Sequence, residues 1–444
     1  MTVSSPDDSR PAARDVAGRS RAAARSLAKL ASERKQETLL ALAGAIEENR
    51  ETILRANERD REAAEFQVAL GTMSATLFAR LKVTERGVAE MAARVRDVAG
   101  LPDPVGRRLA ATELDEGLVL YKESCPLGVV GIVFESRPDV IPQVASLTLK
   151  SGNAVILKGG VEAAHTNEAL VAIWRSCLSQ TPDVPCDAIQ LLHTRTDVME
   201  LLSLDRDVDV IIPRGSRELV EFVGHASHIP VLGHGEGICH VYVDRAADLA
   251  KALAVAYDSK VDYPAACNAA ETLLVHEEIA AEFLPPAAQK LRHADVELRG
   301  CSKTVALLAS EEIRPATEKD WATEYSDRIL SIKIVASLED AIRHIEQFGS
   351  RHTETIVTED QDAAKRFLEE VDAAGVYHNA STRFADGFRY GLGAELGIST
   401  SKLHARGPVG LEGLVTYKYK LVGDGHTVAE YSSGQRTFHH RPIP

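Results

Sequence analysis

Aromatic residues are scarce in this chain, 5% of 444 positions, so its interior must be assembled mainly from Ala, Val, Leu and Ile. Cysteine is scarcer still. Six residues, at 125, 177, 186, 239, 267 and 301, form no CxxC pair and no zinc-like spacing. That is too sparse for a disulfide scaffold and points to a reducing compartment. His439-His440 sits in a polar tail and no HExxH occurs, so no metal site is expected. No apolar run approaches the roughly 20 residues of a membrane-spanning helix; the longest, 127–134, has the length of a buried strand. Positive charge is in deficit: 51 Lys and Arg stand against 65 Asp and Glu, a net charge of −14. An acidic surface argues against nucleic-acid and anionic-membrane partners, but leaves an anionic small molecule open because local Arg and Lys decide that. The N-terminus lacks an apolar signal core, and Asp7, Asp8 and Asp15 spoil a transit-peptide reading. A short disordered lead over 1–12 and a cytoplasmic location are expected.

What is present is a regular alternation of helices and short apolar strands, in a chain long enough for two or three domains. From 15 to 65, Leu27, Leu30, Leu39, Leu42, Ala43 and Ile46 recur at helical spacing. A second helical stretch is expected over 70–98, before GLPDP (100–104) breaks it. Strands are expected at 129–134, 154–158, 188–192, 208–212 and 239–243, with helices at 139–150, 162–179 and 216–224 between them. A second block carries strands at 271–276, 329–335 and 353–358 and helices at 278–292, 338–348 and 361–371. Near-continuous apolar strands alternating with helices specify parallel sheets covered on both faces. The segments 119–127 and 413–430 hold Leu, Val and Tyr yet belong to neither block, and the second reads as a hairpin about Gly423-Asp-Gly. The expected fold class is α/β, two domains with β segments outside both cores.

Cys267 lies in DYPAACNAAE (262–271), among small residues that would let a substrate approach its sulfur. Pro264 and Asn268 suit a turn or a helix start, and a helix N-terminus would lower the thiol pKa. The residue also reads as a small buried hydrophobe, and spacing alone does not choose. Lys158 ends the strand AVILK before Gly159-Gly160, where open α/β sheets bind ligands; a solvated strand-end lysine is the other reading. PRGS (213–216) follows a strand and opens a helix, so its N–H groups could face a phosphate. No strict GxGxxG and no Walker A pattern follows any of these strands. Three Gly-rich turns, NASTRF (379–384), GLGAELG (391–397) and HARGPVG (404–410), could wall a pocket with Arg383, Arg389 or Arg406 as anion clamps, or be ordinary loops with solvated Arg.

Taken together, LGVVGIVFESRPDV (127–140), SGNAVILKGG (151–160), DVDVIIPRGSRELV (207–220), PVLGHGEGICHVYVD (230–244), YPAACNAAETLLVH (263–276) and GVYHNASTRFADGFRYGLGAELGISTSKLHARGPVGLEGL (375–414) occur in one order. That order resembles the γ-glutamyl phosphate reductase family of the aldehyde dehydrogenase superfamily, over nearly all of the chain after the first dozen residues. The resemblance implies an aldehyde-dehydrogenase-like fold of two Rossmann-type α/β domains plus a β oligomerisation arm. The cofactor domain would be 13–112 and 128–246, the catalytic domain 247–410, and the arm and tail 113–127 and 411–444. It implies a stand-alone enzyme, without the kinase domain of the fused forms. The reaction would be NADPH-dependent reduction of L-glutamyl 5-phosphate to L-glutamate 5-semialdehyde and phosphate through a cysteine thioester, the second step of proline biosynthesis from glutamate. NADP(H) would be the cofactor, a homodimer or homotetramer the assembly, and glutamate 5-kinase a functionally coupled enzyme.

Carried onto this sequence, the resemblance makes Cys267 the nucleophile, with its own N–H and a nearby side-chain amide as oxyanion donors, to which Asn268 or Ser136 could contribute. Lys158, Gly215, Ser216 and Glu236 would contact the cofactor. Arg137, Asn379, Ser381, Thr382 and Arg383 would hold the substrate carboxylate and phosphate. NAD-preferring members often place a Glu three residues after the strand-end Lys; here that position is Val161, with Glu162 beside it. Hydrolytic members carry a water-activating Glu about 30 residues before the Cys. Aligned here, Gly233 takes that position and Glu236 falls three residues later. A hydrolytic NAD(P)-dependent aldehyde dehydrogenase is therefore the alternative, and it requires such a base. A non-catalytic binding protein is a third reading, opposed by the intact Cys267 and Lys158.

Overall fold

The computed structural model describes residues 11–73, 75–233, 235–309 and 312–443; most of the expected N-terminal lead, residues 1–10, lies outside the described residues. The chain divides into two units, Met1–Leu232 with Gly393–Leu396 and Gly410–Pro444, and Gly233–Leu392 with Gly397–Val409. The division at Leu232 falls earlier than the expected domain boundary at 246.

In the first unit, strands β1 (Arg108–Asp115) and β2 (Leu118–Pro126) precede β3 (Val129–Phe134), β4 (Ala154–Lys158), β5 (Ile189–Leu191) and β6 (Val210–Arg214). The last four form a parallel sheet in the order β5-β4-β3-β6. Every residue of β3 is buried, as a central parallel strand covered on both faces requires. The N-terminal helical pattern resolves into helices Ala13–Leu27, Ser32–Glu48 and Arg50–Ala69. The helical stretch expected over 70–98 is present but divided. Gly71 takes φ +71, a short helix Ala75–Arg80 follows, and Thr84 then caps a new helix, Glu85–Gly100, by accepting from Gly87 N–H at 3.0 Å.

The helix Ala164–Ser179 after β4 has no capping side chain of its own. Its orphan donors are met instead by buried Asp60 from helix Arg50–Ala69. Asp60 Oδ1 accepts from His165 N–H at 3.0 Å, and Oδ2 accepts from the N–H of Thr166 at 2.8 Å and its hydroxyl at 2.6 Å. This carboxylate sets where the helix begins, beside the end of β4.

The second unit holds β7 (Cys239–Val243), β8 (Ala270–His276), β9 (Glu297–Gly300), β10 (Arg314–Pro315), β11 (Ile329–Val335), β12 (Thr353–Val357), β13 (Gly375–His378), β14 (Ile398–Ser399) and β15 (Gly407–Pro408). Seven of them make a parallel sheet in the order β10-β9-β11-β8-β7-β12-β13. Strand alternation sends Val241 and Leu273 into one apolar layer with Phe283 and Ile332. Tyr242 and Leu274 enter the other with Ile356 and Phe367. No helix among the described residues is long and apolar enough to cross a membrane.

The chain's last strands, β16 (Val415–Val422) and β17 (Arg441–Ile443), return to the first unit. They complete an antiparallel sheet in the order β16-β2-β1-β17. The hairpin expected about Gly423-Asp-Gly is absent. β16 takes β2 as its partner from Val415↔Pro126 to Val422↔Val119, and a capping box between Thr427 and Glu430 starts the helix Val428–Ser432 just past the turn.

Replacing Asp60 with Ala is expected to lower the unfolding free energy by about 1–3 kcal/mol, the cost of stranding buried N–H donors. Urea unfolding of the full chain checks this; an unchanged midpoint would contradict the capping role.

Candidate active site

Cys267 sits half-buried in the turn between helix Leu249–Val261 and β8, and no helix starts there, so the expected helix-dipole activation of the thiol is not available. The turn is closed by Ala266 N–H to Tyr263 O at 3.1 Å and Ala269 N–H to Ala266 O at 2.9 Å. Neither bond uses the N–H of Cys267, which has no acceptor among the described residues. From below, the buried thiol of Cys239 donates to the Cys267 carbonyl at 3.3 Å. A β-carbon at Gly237 would lie 1.9 Å from that carbonyl oxygen and 2.7 Å from Cys267 Cα, so only glycine fits beneath the turn. Burial pushes the Cys239 thiol well above its ordinary pKa and keeps it protonated as a donor.

The segment after β13 is drawn to the same turn. Asn268 donates from its side-chain amide to Ala385 O at 2.8 Å and Arg383 O at 3.5 Å. Through these bonds Asn268 ties the 383–385 loop to the Cys267 turn. Ser259, on the preceding helix, accepts from Thr382 N–H at 3.1 Å and meets the Ser381 hydroxyl at 3.2 Å. Ser381 and Thr382 are thus buried anchors of the loop. Asn379, at φ +54, clasps the end of β12, accepting from Thr358 N–H and donating to Thr358 O, both at 3.0 Å. Of the residues expected to bind substrate in this stretch, Arg383 is the charged one. Its Nε donates to Asp262 Oδ2 at 3.2 Å, and Arg389 reaches the same oxygen at 3.3 Å. Asp262 was not singled out from sequence; its place five residues before Cys267 was the available signal. Arg406 is committed elsewhere, to Asp372 at 2.8 Å.

Lys158, Gly215 and Ser216, expected to contact the cofactor, lie in the first unit. Lys158 ends β4, and burial lowers its ammonium pKa against the opposing pull of Glu162 and Glu135. Beside it a pocket of about 150 Å³ is lined by Gly159, Gly160, Val161, Asn167, Glu168 and His193, among others, and Asn167 Oδ1 is buried without a partner among the described residues. Ser216 caps the helix Arg217–Ala226, and its N–H donates to Glu135 Oε2 at 2.7 Å. Gly215 lets that carboxylate in, since a β-carbon there would stand 2.3 Å from Glu135 Oε2. Glu162 turns inward and accepts from both the N–H and the hydroxyl of Ser136 at 2.7 Å. Both Ser136 donors are thus engaged by Glu162. Arg137 lies with Ser136 in the first unit, whereas Glu236 belongs to the second, in the segment leading into β7.

The first unit thus offers a glycine-rich strand end beside a pocket and a helix N-terminus that gathers a carboxylate, and the second a half-buried thiol on a turn of small residues. The chain belongs to the aldehyde dehydrogenase family, whose model matches residues 3–304; a nicotinamide cofactor goes with that membership. Within the family its curated relatives are named gamma-glutamyl phosphate reductase. One from Synechococcus sp. (strain JA-3-3Ab) is 57% identical over 95% of this chain and 92% of its own length. One from Natronomonas pharaonis is 55% identical over 92% and 93%. The crystal structure of gamma-glutamyl phosphate reductase from Thermotoga maritima superposes with a TM-score of 0.90 at 40% identity, covering 94% of this chain and all of that one. An acetylating aldehyde dehydrogenase from Geobacillus thermoglucosidasius, 18% identical with a TM-score of 0.63, shares the fold.

Gly237→Ala is expected to force the Cys267 turn away from β7, lowering stability by about 1–3 kcal/mol through overpacking and slowing alkylation of Cys267. Thermal unfolding and site-resolved mass spectrometry after iodoacetamide treatment check both. Site resolution matters because hydrogen bonds from Thr304, despite burial, hold the Cys301 thiol below its ordinary pKa.

Proposed function

We propose that Cys267 carries out the gamma-glutamyl phosphate reductase reaction of this family by covalent catalysis, with L-glutamyl 5-phosphate as substrate and NADP(H) as cofactor. The observation that carries this is the turn itself: a half-buried cysteine whose backbone N–H has no acceptor among the described residues, with a guanidinium pair held by Asp262 of the same turn. The Cys267 thiolate attacks the acyl carbon, the C–O bond to phosphate breaks, and phosphate leaves with a proton taken from solvent. The oxyanion formed on the way is met by the Cys267 N–H, the donor the turn leaves unused. A thioester on Cys267 remains, and splitting the reduction this way divides one difficult step into two. NADPH, when bound, supplies the hydride. Collapse of the thiohemiacetal on Cys267 then breaks the C–S bond, releases the semialdehyde and returns the thiolate.

Arg383 and Arg389 are the proposed anion clamp, held in register by Asp262 until a substrate carboxylate or phosphate shares them. Lys158, Gly215 and Ser216 are the proposed cofactor contacts. The pocket with its unpartnered Asn167 Oδ1 and the helix N-terminus at Ser216 fit a dinucleotide, once its pyrophosphate takes the place of Glu135. NADP(H) is favoured because Val161 brings no carboxylate where NAD-preferring members have one, and Glu162 is tied to Ser136. The reading favoured over hydrolysis rests on Gly233, which offers no general base at the expected position.

We further propose a cytoplasmic homo-oligomer. The edge strand β16 exposes Tyr417, Tyr419, Leu421 and Val422, an apolar edge that a second copy would cover. A monomer mass by light scattering at micromolar concentration would contradict this. Acyl phosphates hydrolyse readily, which favours functional coupling to glutamate 5-kinase. The two enzymes together should then yield more semialdehyde than sequential incubation; equal yields would remove that coupling.

The reverse reaction tests the chemistry and the cofactor in one assay. Oxidation of glutamate 5-semialdehyde is expected to depend on phosphate or arsenate and to run at least about tenfold faster with NADP⁺ than with NAD⁺, the value of one added charge-assisted contact. Free glutamate formed at full rate without phosphate would favour the hydrolytic alternative, and a preference for NAD⁺ would overturn the cofactor assignment.

A further inference from the structure

The turn that carries Cys267 is bracketed by a buried ion pair that the mechanism above does not use. Lys260, near the end of helix Leu249–Val261, donates from Nζ to Glu271 Oε2 at 2.6 Å, and both side chains are fully buried. Glu271 is the second residue of β8, so the pair joins the two ends of the intervening turn. The other carboxylate oxygen accepts from Ser326 N–H at 3.2 Å, from a residue held at φ +52. Burial raises the Glu271 carboxyl to about 7 and lowers the Lys260 ammonium, so the protein bears a desolvation penalty on both groups.

Stability alone does not call for charges here. The helix and strand already meet through Ala252, Ala256, Ala270 and Leu273 in one apolar layer. Replacing a buried ion pair by well-packed apolar residues is often neutral or stabilising. What apolar contacts lack is direction, whereas a short charge-assisted hydrogen bond fixes both distance and angle. The other ties of the turn are its two closing backbone hydrogen bonds, the Cys239 thiol on the Cys267 carbonyl, the Asn268 amide on the 383–385 loop, and Asp262 on Arg383 and Arg389; none of them links the helix end to the start of β8.

We propose that Lys260 and Glu271 are positioning residues for the nucleophile, their ion pair fixing both ends of the turn and with them the Cys267 sulfur and N–H. This rests on the reading of Cys267 as nucleophile. Alkylation of Cys267 reads its placement without turnover, so the two ideas fail separately: full activity in Cys267→Ala would sink the nucleophile reading and leave the alkylation result standing.

The test compares Lys260→Met/Glu271→Leu, Glu271→Gln and Glu271→Ala with the unaltered enzyme. It measures thermal unfolding, kcat and KM for semialdehyde oxidation, and site-resolved alkylation of Cys267. The apolar double variant is expected to fold and to keep KM, while kcat and Cys267 alkylation both fall about tenfold or more, as a misplaced reacting group requires. Glu271→Gln, which keeps a hydrogen bond to Lys260, should retain most of kcat. A folded double variant with unchanged kcat and alkylation overturns the proposal. If the double variant does not fold, Glu271→Gln and Glu271→Ala decide: kcat about tenfold higher in Gln than in Ala supports positioning, and equal values overturn it.

Discussion

The backbone of Cys267 rests against Gly237 at a distance no other residue would allow, and the thiol of Cys239 holds its carbonyl from the same side. Those contacts turn the carbonyl inward. The opposite end of the residue, its N–H, is left without an acceptor among the described residues, and the residue stays half-buried. Everything proposed for the chemistry depends on that orientation. A nucleophile needs open approach, and an oxyanion donor needs an unspent hydrogen. Both follow from packing the other face of one turn against a strand end with no side chain in the way.

Internal carboxylates stand at the positions proposed for ligand anions. Glu135 accepts from the Ser216 N–H at a helix N-terminus, and Asp262 pairs Arg383 and Arg389. Buried Arg383 is costly to leave unpaired, and Asp262 keeps it satisfied and aimed; at the exposed Ser216 N–H and Arg389 the carboxylates fix direction. The incoming pyrophosphate or substrate anion then exchanges one partner for another, rather than creating a charge contact from bare groups.

Much of the framework was legible in sequence wherever strands are buried on both faces. The expected strands 129–134, 154–158, 239–243 and 329–335 coincide with β3, β4, β7 and β11, because a short apolar run has one way to be covered. Strands β1, β9 and β13 were not seen. β1 and β9 carry Arg and Glu, and β13 is only four residues opening on Gly, so their neighbours in the sheet, not their composition, make them strands. The tail failed as a hairpin because β2 offered β16 an eight-residue partner from far away in the chain. At the site, residue types were readable and side-chain directions were not. Asn268 and Ser136 are suitable donors by type, but a loop carbonyl and the Glu162 carboxylate have claimed them. Asp262, Gly237 and the Lys260–Glu271 pair act through partners on other elements, which spacing cannot reveal.

The central claim is a glutamyl thioester on Cys267. Intact enzyme mixed with glutamate 5-semialdehyde and NADP⁺ in phosphate-free buffer, quenched in acid and digested, should carry one glutamyl group on the peptide containing Cys267, and added phosphate should discharge it before the quench. An unmodified Cys267 peptide alongside stoichiometric NADPH formation, or a glutamyl group on any other residue, would contradict the account.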